Sequence, residues 1–221
     1  AIAMGNGAVA NGNDAIVIGR ASKTENTANT VQAIVIGSNA YVGPQTAQSI
    51  AIGSGNKAGE GAAVTGDQSI AIGGNVTVPG HSAIAIGGDD VNKAMNTPVT
   101  YTSKNGQTIT GSLRAAYGAL TGKNITGFVQ TTASHGGVAY GVSAKAGNGG
   151  VAVGMGADSY SRAGSSEPLT NAVALGMGAR ATLDNSVAIG GGSNTDHRAT
   201  SQTHALVNGI EVHWQGGANI K

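Results

Sequence analysis

A five-residue pattern of small, apolar, small, apolar and glycine recurs ten times along the chain. The copies are AIAMG (1–5), AIVIG (15–19), AIVIG (33–37), SIAIG (49–53), SIAIG (69–73), AIAIG (83–87), GVAYG (137–141), GVAVG (150–154), AVALG (172–176) and SVAIG (186–190). Their closing glycines follow one another at intervals of 14, 18, 16, 20, 14, 54, 13, 22 and 14 residues. The base period is therefore 14, interrupted by short insertions and one of about forty residues. Such a period marks stacked coils, because each unit buries its apolar residues only against its neighbours.

Each copy predicts a short strand. Ile and Val favour a pleated surface, and their alternation has period two. The large residues share one face and are read as the core positions: Ile16, Ile18, Ile34, Ile36, Ile50, Ile52, Ile70, Ile72, Ile84, Ile86, Val151, Val153, Val173, Leu175, Val187 and Ile189. The residues between them are Ala or Val, and none of the fifty residues in the ten copies is charged. Both faces are expected to be covered. After the closing glycine, small or apolar residues return three and five positions on, as in Ala40 and Val42, Val76 and Val78, or Ala144 and Ala146. That predicts a second strand, set off by Gly, Asn and Asp turns. Two strands of about five residues and two tight turns fill the period, so one repeat is one coil of a two-sided parallel β-roll. Such a coil encloses little beyond its own Ile/Val pair. The flat Ala/Val face is then expected to be covered by further copies of the chain, in a homo-oligomer.

The repeats divide the chain into roll segments at 1–88 and 135–196, an insertion at 89–134, and a C-terminal extension or start of a next module at 197–221. Within the insertion, Asn105-Gly106 lies between alternating runs and predicts a hairpin, with Val99 and Tyr101 on one strand and Ile109 on the other. Leu113, Ala116, Tyr117 and Leu120 are spaced for a helix that Gly122 ends, and ITGFVQTT (125–132) reads as a strand returning to the roll. In the extension, Val207, Ile210, Val212 and Trp214 alternate.

Composition narrows the function. Charged residues are 10% of the chain, against about 25% in typical domains. A formal net charge of +1 gives phosphate no field to follow, so no nucleic-acid partner is expected. The absence of Cys removes disulfides and Cys-ligated zinc. With 40% hydrophobic residues and only four Pro, neither disorder nor collagen fits. No apolar run reaches the roughly 18 residues of a membrane span. The opening AIAMG carries no secretion signal, and the chain reads as part of something larger.

The repeats QSIAIGSGN (48–56) and NSVAIGGGS (185–193) resemble the YadA-like heads of trimeric autotransporter adhesins. The resemblance covers roughly residues 1–88 and 135–195. It implies an all-β fold, a left-handed parallel β-roll assembled as a homotrimer, here with one α+β insertion. It further implies display on the bacterial cell surface and adhesion to a host matrix protein, collagen-like or other, or to a cell-surface receptor. The membrane would be reached only through an anchor domain outside this chain. Some members of the family bind collagen through such repeats, which makes Asn185, Ser186 and Ser193 the candidate ligand-binding residues. Neither the neck nor the heptads expected after a head follow Gly190. A structural spacer within the same fibre is the alternative, with adhesion carried by other modules.

No catalytic, cofactor or metal site is expected. GNGAVA (5–10) and GMGARA (176–181) fit a dinucleotide-binding pattern, but no room remains for the helix such a site needs, so they read as turns. His81, His135, His197, His204 and His213 lack metal-ligand spacing, and GGDDVN (87–92) reads as solvated turn acids. The enzymatic alternative, a β-helical acyltransferase, has hexapeptide repeats and a coil of about 18 residues.

Overall fold

The computed structural model describes residues 1–26, 30–103, 105–125, 127–162 and 164–195, and the strands His204–Val207 and Ile210–His213. The ten copies form ten three-residue strands, from Ile2–Met4 to Val187–Ile189, stacked in chain order into one parallel sheet. Equivalent residues sit side by side: Ile16 beside Ile34, Val17 beside Val35, Ile18 beside Ile36. The second strands, from Val9–Ala10 to Asp158–Ser159, build a parallel eight-stranded sheet opposite. Arg180 extends it by single bridges to Asp158 and Asn194. The chain is an all-β parallel β-solenoid with few helices.

The faces of the first strand are the reverse of those expected. The middle residue points inward: Val17, Val35, Ala51, Ala71, Ala85, Ala139, Ala152 and Ala174 are fully buried. None of the large positions assigned to the core is buried within the chain. Ile16, Ile36, Ile84, Val153, Val187 and Ile189 are exposed. Ile18, Ile34, Ile50, Ile52, Ile70, Ile72, Ile86, Val151, Val173 and Leu175 are half-buried. A three-residue strand sends one side chain one way and two the other. The opposite sheet already aims two residues inward, such as Val76 with Val78 or Ala144 with Ala146, and the residue preceding the first strand adds Ala15, Ala33, Ser49, Ser69 or Ala83. At interior packing density that leaves space for one small side chain, not for two isoleucines.

Turns close the coil tightly enough to require left-handed backbone. Two residues before seven of the ten first strands, Asp14, Gln32, Gln48, Gln68, Ser82, Asn171 and Asn185 hold φ between 50° and 56°. Gln tolerates this poorly. Here the glutamines are tied coil to coil, Gln68 Nε2 donating to Gln48 Oε1 (3.1 Å) and Gln48 Nε2 to Gln32 Oε1 (3.3 Å). The closing glycines carry the tighter reversal. Gly37 has φ +127°, and a Cβ there would lie 2.6 Å from the carbonyl carbon of Gly53 on the next coil.

The insertion contains helix α1 (Asn92–Met95), the hairpin Pro98–Thr102 with Thr108–Ser112, and helix α2 (Leu113–Thr121). Gly106 turns the hairpin at φ +79°. The Ser112 hydroxyl caps α2 by accepting from Ala115 N (3.2 Å), and Gly122 ends it at φ +72°. The expected strand over 125–132 is shorter: only Thr131–Ala133 is strand, after a left-handed Gly127 (φ +58°) that breaks the extended run. The insertion leaves the ladder undisturbed, since Ile84–Ile86 pairs in register with Val138–Tyr140. Of the extension, His204–Val207 pairs antiparallel with Ile210–His213, and Trp214 lies outside the described residues.

Gly37→Ala is expected to destabilise the fold by more than about 2 kcal/mol in urea unfolding, because the clash is backbone against backbone and no side chain can yield. A loss below about 0.5 kcal/mol would contradict the tight stacking of these turns.

Candidate functional site

Because the large residues point outward, the ten-stranded sheet presents two apolar side chains per strand, from Ile2 and Met4 to Val187 and Ile189. Ten strands spaced about 4.8 Å apart make a stripe about 45 Å long. The end strands are the most open, with Met4 62% and Ile189 66% exposed. Polar turns rim one margin, including the Gln32, Gln48 and Gln68 ladder, and the closing glycines rim the other. A continuous apolar patch with a polar rim is a candidate interaction surface.

The three predicted ligand-binding residues lie in turns at the last coil, and each makes a side-chain hydrogen bond within the chain. Asn185 Oδ1 accepts from Asn171 Nδ2 (2.9 Å). Ser186 Oγ donates to Leu183 O (2.6 Å) and lies 3.0 Å from Thr195 Oγ1. Ser193 Oγ donates to Ile189 O (2.5 Å). His81 and His135 stack at 5.0 Å between ring centres. Both serve as turn caps: His81 Nδ1 accepts from Asp67 N (2.9 Å) and His135 Nδ1 from His81 N (3.2 Å). His197 lies outside the described residues, while His204 and His213 are register partners in the terminal hairpin. Asp89 and Asp90 bond to Asn75 Nδ2 and Asn92 N. Among the described residues no group of three or more His, Asp or Glu is placed to hold a metal ion.

The insertion docks through a small core of its own. Val91, Met95, Tyr117 and Ile125 are buried together, packed against Val142, Met155 and Met177 of the roll. The seat for α2 is made of glycine. A Cβ on Gly178 would lie 2.7 Å from Thr121 Cγ2 and 2.9 Å from the Tyr117 hydroxyl, and one on Gly156 would lie 2.9 Å from that same hydroxyl. Sequence reasoning missed this seat. The signal was the repeated GMGA at 154–157 and 176–179, which places Met and Gly identically on two coils.

Burial, and secondarily the Asp158 carboxylate, raises the Tyr117 phenol above its ordinary value of 10.0. At the other end of the eight-stranded sheet, Lys23 Nζ bonds to Glu25 Oε1 at 2.8 Å and sits 5.3 Å from the centre of the Tyr41 ring. The shared hydrogen bond holds Lys23 up and Glu25 down from their ordinary values. This exposed pair stabilises the surface only slightly.

The model of the YadA head domain repeat fits twice, over residues 1–22 and 170–193, so both ends of the roll carry that repeat. No curated protein matches the chain.

Gly178→Ala is expected to cost about 1–3 kcal/mol in thermal or urea unfolding, combining a strained positive φ with displacement of α2. The raised phenol means that Tyr117 supports the fold fully below pH 10.0 and less as pH rises through its folded pKa. Tyr117→Phe should therefore flatten the fall in stability above about pH 10. An unchanged alkaline slope would contradict the burial of that ring.

Proposed function

We propose that this chain, a YadA-like head, is part of a surface-displayed trimeric adhesin that attaches a bacterium to host cells or extracellular matrix. Three left-handed rolls pack side by side through their Ile/Val stripes, leaving the eight-stranded sheets and insertions outward. The reading does not involve catalysis. The observation that carries it is the uncharged apolar stripe running the full length of the ten-stranded sheet. In water such a stripe favours association, because each isoleucine withdrawn from solvent contributes on the order of 1–2 kcal/mol. Three copies on one particle also strengthen weak individual contacts through effective concentration.

The spacer reading draws support from one observation: Asn185 Oδ1, Ser186 Oγ and Ser193 Oγ each already make a hydrogen bond within the chain. A solid-phase assay of the chain on matrix proteins and epithelial cells separates the two, since a spacer gives no saturable attachment on that panel. Light scattering should give three times the 21.4 kDa mass of the chain. Ile36→Asp with Ile52→Asp should reduce it to the monomer mass. A folded wild-type monomer overturns assembly through the stripe.

A further inference from the structure

The terminal hairpin sets His204 opposite His213, Ala205 opposite Val212, Leu206 opposite Glu211 and Val207 opposite Ile210. Only two residues connect its strands. With a connection that short, the pair flanking it, Val207 with Ile210, exchanges both backbone hydrogen bonds. Along an antiparallel ladder such pairs alternate with pairs that exchange none. Counting outward, Leu206–Glu211 is non-hydrogen-bonded, Ala205–Val212 is hydrogen-bonded, and His204–His213 is again non-hydrogen-bonded. Side chains lie closest in that second class, with Cα atoms about 4.5 Å apart against about 5.5 Å in the first.

Alternation also sorts the faces. Opposed residues share a face, and so do residues two apart along a strand. One face therefore carries His204, Leu206, Glu211 and His213, and the other carries Ala205, Val207, Ile210 and Val212. Every polar residue of the two strands falls on the first face, while the second is wholly apolar. Two Zn–N bonds of about 2.0–2.1 Å at a tetrahedral angle need nitrogens about 3.4 Å apart, a separation that imidazoles from a non-hydrogen-bonded pair can reach. Glu211, two residues from His213 on the same face, adds a negative charge that favours a cation. His81 and His135 are built differently. Each Nδ1 accepts a turn amide, from Asp67 N and His81 N, and the rings stack alongside each other.

We propose that the His204–His213 pair of the terminal hairpin chelates a divalent transition-metal ion of the kind that prefers imidazole, with water completing its coordination. Two protein ligands make this chelate, and no third side chain is required of the fold. The site shares no residue with the apolar stripe, so it goes beyond the adhesion reading and stands or falls apart from it.

The test is calorimetric titration of the full chain with Cu²⁺, Zn²⁺ and Mg²⁺. Cu²⁺ should bind saturably and more tightly than Zn²⁺, following the general order for nitrogen sites, while Mg²⁺, which prefers oxygen, should give no heat. His204→Ala and His213→Ala should each weaken Zn²⁺ binding about 100-fold, because the second imidazole binds at high effective concentration once the first is bound. The double variant His81→Asn with His135→Asn, whose amide oxygens can still accept the turn N–H groups, should bind as before. Nuclear magnetic resonance of the unsubstituted chain needs no variant to fold. One equivalent of Zn²⁺ should shift the ring signals of His204 and His213 together and leave those of His81 and His135 in place. Undiminished Zn²⁺ affinity in either alanine variant overturns the proposal. Equal shifts of all five histidines do the same, since they mark an adventitious ion only. Mg²⁺ binding as tightly as Zn²⁺ overturns the assignment to imidazole.

Discussion

The width of the coil interior is the constraint from which the rest of this molecule follows. Two parallel sheets are held in register by hydrogen bonds from coil to coil, such as Ile16 N to Ala33 O and Val9 N to Ser22 O. The space between them accepts one residue from the first strand and two from the second. Only Ala, Val, Ser and Thr fill it without strain, and the buried core consists almost entirely of these. Glycine abundance has the same cause. Gly19, Gly37 and Gly53 stack so closely that a Cβ on one meets the backbone of the next.

A core this thin cannot hide large side chains, so Ile and Val go outside. That placement explains why the chain is short of aromatic residues yet rich in exposed isoleucine. Burial is divided by residue size: small residues fill the coil interior, and large ones stand on the outer face of the ten-stranded sheet.

Much of this was readable from the residues. The strand positions, the second strand at Val76 and Val78, the hairpin at Asn105-Gly106 and the helix ending at Gly122 all follow from local pattern. What misled was size. Alternation of period two states which residues share a face and is silent about which face is inside; assigning Ile to the core assumed an interior wide enough for an Ile/Val pair. The pairing of His204 with His213 was invisible for a different reason. The two are separated along the chain, and only the register of the hairpin sets them opposite each other.

The insertion shows how a repetitive scaffold carries an individual module. Stacked coils tolerate an excursion wherever the ladder can resume, and here it resumes at Val138 beside Ile84 without a shift. The excursion then needs a place to rest. Gly156 and Gly178 occupy turn positions at which other coils carry Ala21, Asn39 or Ser143, all left-handed. Removing those side chains opens a trough that Tyr117 and Thr121 fill. Two glycines that look like routine turn residues thus convert a uniform surface into a seat for one helix.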